Sequence, residues 1–120
     1  MTYGTNENLV NKPINEDIIE CIDRLRKGVN RALANHSKRA DSLYNQGEID
    51  ATAKEQIDEE IDSIRSTVNT VLEMFENCNI TSNKQMEEYE KSVNNVISNM
   101  IMGLAELVSL RLENGRNQEI

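Results

Sequence analysis

Glycine and proline are scarce, with five of the first and one of the second in 120 residues. So little turn material excludes hairpin-rich all-β folds and glycine-rich phosphate cradles. Aromatic residues are 3%, with no Trp. Two Cys cannot make a disulfide scaffold, and one His with two Cys cannot furnish a four-ligand zinc site unaided. Cations are outnumbered, 13 Lys and Arg against 21 Asp and Glu, for a formal net charge of −8. That balance argues against bulk binding to DNA, RNA or anionic membrane. Met1-Thr2-Tyr3-Gly4 opens no basic-then-apolar leader, so a reducing, cytoplasmic setting is expected. The length allows one domain, with just enough chain for a self-sufficient core.

What is present is helical periodicity. A polar tail over residues 1–14 ends at Pro13-Ile14, because proline forces its predecessor out of helical geometry. A domain over 15–115 follows, with helices expected near 16–46, 50–79 and 82–114, and a short tail at 116–120. In the first helix Ile18, Ile22, Leu25, Val29, Ala32/Leu33, Ala40 and Leu43 recur at steps of three and four. Gly47 suits the left-handed residue that closes a helix. In the second, Ala53, Ile57, Ile61, Ile64, Val68, Val71, Phe75 and Cys78 form one stripe. Ser82 and Gln85 have capping-box spacing and start the third. Asn114-Gly115 is expected to end it.

Short turns between long helices make neighbours antiparallel. Pairing about Gly47 sets residue i of the first helix near residue 95−i of the second. The basic run Arg24, Arg26, Lys27, Arg31, Lys38 and Arg39 then lies against Glu55, Asp58, Glu59, Glu60 and Asp62. Helix 2 is expected to neutralise it, each exposed pair contributing ~0.2–1 kcal/mol. Cys21 and Cys78 fall near one end of the bundle and read as free core thiols.

The third helix differs in kind. From Val96 to Leu112 it is apolar over far more than the ~100° stripe of a bundle helix. With Asn99, Glu106 and Arg111 inside it, this run is too short and too polar to span a bilayer. Something beyond the first two helices should cover it, and a second copy is the simplest candidate. Ile97, Ile101, Leu104, Val108 and Leu112 are the expected anchors, and Ile101→Glu or Leu104→Glu the variants expected to dissociate the assembly.

Two local motifs carry alternative chemistry. His36-Ser37-Lys38-Arg39-Ala40 resembles the motif of His-containing phosphotransfer domains, with a cation three residues after the His and a small residue four after. It departs from that motif at Lys38, where an apolar residue belongs. The resemblance implies a phosphoryl-carrying His36 exposed to solvent, whereas the seam position between Leu33 and Ala40 implies an imidazole held by a carboxylate such as Glu59. Arg31 and His36 fit the Arg-x4-His spacing of HEPN-type ribonucleases, which this chain resembles in size and helicity. Ala32 departs from that family's polar residue, and five positions on one helix turn the two side chains about 140° apart. No metal or cofactor site is expected.

The fold expected is therefore all-α, an antiparallel three-helix bundle or long helical coiled coil self-associating through its third helix. The function expected is non-enzymatic, by protein–protein interaction: an adaptor, a chaperone, or an inhibitor of phage or mobile-element type. Its expected partners are itself and another protein, without membrane or nucleic acid. The alternatives are phosphotransfer at His36, or anionic-ligand or nucleic-acid binding by the basic run of the first helix, with Arg24, Lys27, Arg31, Lys38 and Arg39 as the expected contacts.

Overall fold

The computed structural model describes the backbone of residues 3–118 and the side chains of residues 16–115. Three helices follow in order, α1 (Tyr3–Asn45), α2 (Ala51–Asn77) and α3 (Asn83–Gln118), and every pair packs together. The protein is an all-α, antiparallel three-helix bundle, drawn out into a rod of 79 × 19 × 15 Å.

Local chemistry sets most boundaries. Gly47 adopts φ 76°. Its N–H donates to the Tyr44 carbonyl at 3.0 Å, and the Glu48 N–H donates to the Leu43 carbonyl at 2.9 Å. These two bonds satisfy the last carbonyls of α1 in the Schellman arrangement. Asp50 caps α2 by accepting from the Ala53 N–H at 2.8 Å. Ser82 caps α3, accepting from the Gln85 N–H at 3.2 Å, while Gln85 accepts from the Thr81 N–H at 3.0 Å. The return bond of the capping box thus lands on Thr81, one residue before the cap.

Two ends differ from the sequence reading. α1 begins at Tyr3 rather than near Glu16 and carries Pro13 inside it. A proline removes one ladder bond and marks a boundary only as a tendency, since helices can continue through it. α3 continues past Gly115 to Gln118. Residues 1–2 and 119–120 of the expected tails lie outside the described residues.

The core is a continuous apolar column, and no polar or charged side chain is buried among the described residues. On α2 it is built by Ala53, Ile57, Ile61, Ile64, Val68, Leu72 and Phe75. Leu72 is the buried residue where the sequence suggested Val71, and Cys78 is exposed rather than in the core. The α2 spacing repeats every eleven residues, a period of ~3.67 that suits nearly straight helices better than a left-handed heptad seam. Ile49 and Ile80, one in each connection, turn inward and close the ends of the column. Tyr89 of α3 packs on Phe75 of α2 with ring centroids 4.7 Å apart.

Candidate functional site

The α3 surface is where the sequence placed the interaction site, and the structure redistributes its residues. Ile97, Leu104 and Val108 are buried at 4%, 0% and 0% exposure. They are anchors of the chain's own core and cannot serve as a free docking face. Leu104→Glu would place a charge in that core and unfold the bundle before it tested any assembly. Ile101 and Leu112 are half-buried at the core's edge.

A second seam lies about 100° around α3 from the buried one. Val96, Met100, Gly103, Leu107 and Leu110 follow steps of four, three, four and three. Val96 is 45% exposed and Leu110 50%, with Met100 and Leu107 half-buried between them. The seam runs along the α2 side of α3, in line with Tyr89, which packs on Phe75 of α2. Charge is absent around its first half only: α3 has no charge between Lys91 and Glu106 and α2 none between Arg65 and Glu73, whereas Leu107 and Leu110 lie among Glu106, Arg111 and Glu113. All of these α3 side chains are in the run that looked over-apolar, where both lines share the same three-and-four spacing and spacing alone does not say which one faces the core.

By length and composition alone, α3 also contains a stretch within Asn83–Gly115 long and apolar enough to cross a membrane. That corrects the expectation of a run too short and too polar. In this fold the inner line of that stretch packs on α1 and α2, whose outward faces are charged.

The basic run of α1 stands differently from expectation. Arg24, Arg26, Lys27, Arg31, Lys38 and Arg39 are all exposed. Among the described residues none of them forms an ion pair with α2; Lys27 meets Asp23 of its own helix at 2.9 Å. The register itself is as read, because Asp41 and Lys54 meet across the α1–α2 seam at 3.2 Å. Helices in register keep acids and cations apart here because both sets point outward. Asp58, at 2.8 Å, and then Asp41 hold the Lys54 ammonium above the ordinary lysine pKa.

His36 is half-buried on the α1 seam, between the fully buried Leu33 and Ala40. Among the described residues no carboxylate bonds its imidazole, and Glu59 is exposed. Arg31 points to solvent on the same unbroken helix, so the two do not converge. The thiols separate as well: Cys78 is exposed and Cys21 buried. Burial pushes the Cys21 thiol up to about 11, helped by Glu90 of α3 and opposed by Arg24. Among the described residues no group of three or more His, Cys, Asp or Glu side chains is placed to hold a metal.

At the far end of the rod, Arg111 and Gly115 of α3 meet the α1–α2 connection around an open pocket of about 350 Å³. The Arg111 Nε is buried there with no hydrogen-bond partner among the described residues.

The class these observations define is an all-α bundle with a partly exposed apolar seam and separated charged faces. Compared with protein-family models, with curated proteins and with solved structures, the chain matches none of them.

Proposed function

We propose that the protein is a non-enzymatic interaction module that docks a helix along the outer seam of α3, and that it works as a homo-oligomer in the manner of an adaptor, chaperone or inhibitor. The observation that carries this reading is the second apolar line on α3, where Val96 and Leu110 are exposed and Met100 and Leu107 between them are half-buried against the core that Ile97, Leu104 and Val108 fill. Alternating steps of three and four are the spacing with which one helix packs along another. Gly103 at the middle of the seam has open space around its Cβ position and lets a second backbone come close. Protein rather than lipid suits this face, because charged surfaces of α1 and α2 flank the rod at the same depth.

The test uses light scattering after gel filtration in about 1 M salt, where ~3 Å screening leaves apolar contacts as the main attraction. Wild type should elute at a multiple of 13.7 kDa, and Val96→Glu or Leu110→Glu, both at exposed positions, at the single mass with unchanged helicity. A wild type that is monodisperse at 13.7 kDa removes self-association from the reading.

A further inference from the structure

Arg24, Lys27, Arg31 and Lys38 lie on one outward stripe of α1. Their steps of three, four and seven keep them within about 60° of one another and spread them over about 21 Å. All four are exposed, and no acid of α2 in the same chain reaches them among the described residues. Lys27 pairs with Asp23, however, and Arg24 shares a groove with Glu90 of α3, so Arg31 and Lys38 are the pair that faces outward without an acid. Between Glu20 and Asp41 the only acid on α1 is Asp23. A strongly basic helix face therefore stands on a chain of net charge −8.

The complement to that stripe is on the neighbouring helix. Glu55, Glu59 and Asp62 share the outward face of α2, and with Asp58, Lys54 and Tyr44 they line an open groove of about 380 Å³. The Asp41–Lys54 contact makes positions whose numbers sum to 95 stand level. Residues 55–62 of α2 are thus level with residues 33–40 of α1, beside Arg31 and Lys38. Within one chain the two faces diverge. A two-fold axis parallel to the rod lays α1 of one copy over α2 of the other, antiparallel and at the same level, twice per pair.

We propose that the Arg31–Lys38 half of the basic stripe, which stands level with Glu55, Glu59 and Asp62, docks on the acidic face of α2 in a second copy of this chain, forming a closed, two-fold electrostatic pair. The contact face has the size such a pair needs. Two helices each ~10 Å wide, overlapping over the ~40 Å of α2, present about 800 Å² per copy, the scale of a standard interface. Net repulsion does not prevent it, because at about 0.1 M salt charges beyond ~10 Å are screened while groups in contact still attract. Nucleic acid fits the stripe less well: no aromatic residue lies between Arg24 and Arg39 to stack a base, and the remaining surface repels phosphate. This pairing uses a different face from the α3 seam and stands independently of that reading.

The experiment follows mass by light scattering at about 0.1 M and about 1 M salt, where screening tightens from ~10 Å to ~3 Å. The mass at low salt should be at least twice that at high salt, because a second two-fold contact either closes a doubled set or extends it further. Arg31→Glu with Lys38→Glu should hold the high-salt mass at both concentrations, and so should Glu55→Lys with Glu59→Lys. Mixing the two double variants should restore the doubling, because each supplies the charge the other has reversed. Circular dichroism confirms that every variant keeps its helicity. A wild-type mass unaffected by salt overturns the pairing, as does an Arg31→Glu, Lys38→Glu variant that still doubles. Retention of wild type on duplex DNA that weakens with salt, with no doubling of its own mass, assigns the stripe to nucleic acid instead.

Discussion

A Cβ built at Gly115 would stand 2.7 Å from the Glu48 carbonyl oxygen, a backbone atom with little room to yield. Gly28, also inside a helix, has nothing within 4 Å of the same position. The two glycines therefore respond to alanine with opposite sign. Gly28→Ala should raise stability by about 0.5–1 kcal/mol, since alanine is the better helix former and meets no obstacle. Gly115→Ala gains the same propensity but must push α3 away from the α1–α2 connection, so its melting temperature should fall. Thermal denaturation of the two variants beside wild type checks both, and a stabilised Gly115→Ala would show that the close approach is not maintained. In sequence Gly115 has the look of a helix stop after Asn114. It falls eleven residues after Leu104 and twenty-two after Val93, on the buried line of α3. Glycine is there because a neighbour is close, and sequence alone does not separate that reason from capping.

At the scale of the helices, the stop at Gly47 and the cap at Ser82 were legible, the cap at Asp50 was not singled out, and Pro13 and Asn114-Gly115, read as boundaries, lie inside α1 and α3. Gly47, Asp50 and Ser82 act within a few residues of themselves, so their roles depend little on the rest of the fold. Asp50→Ala should cost about 1 kcal/mol by leaving the Ala53 N–H without its acceptor. Urea denaturation measures it, and a change within a few tenths would mean that water replaces the carboxylate at no cost. The stripes were legible in outline and ambiguous in detail. From Val68 a step of three reaches Val71 and a step of four reaches Leu72. Both residues are apolar, and only the packing of α1 and α3 decides that Leu72 goes inside. The same ambiguity runs along α3, where nearly every candidate is apolar. Its excess of apolar surface could be read, but the split into an inner line through Ile97, Leu104 and Val108 and an outer line through Val96, Leu107 and Leu110 could not.

As a whole the molecule is a rod, 79 Å long with a cross-section of 19 × 15 Å and a radius of gyration of 19.8 Å. Small-angle scattering separates the ways such rods associate. Side-by-side pairing through α1 and α2 should keep the longest dimension near 79 Å and roughly double the mass per unit length. A longest dimension close to twice that value at about 0.1 M salt, where contact charges still attract, would rule out the side-by-side register. Three amphipathic segments with short connections must turn back on one another, so the helix count, their antiparallel order and the α1–α2 register were determined by the sequence alone. Those features follow from backbone geometry and from the spacing of apolar side chains, which any reader of the chain can count. What the tertiary structure alone decided is which atoms remain outside. Exposure depends on the rotation of each helix against its neighbours. That rotation buried the expected anchors, bared a second seam beside them, and turned the cations of α1 and the acids of α2 away from each other toward solvent.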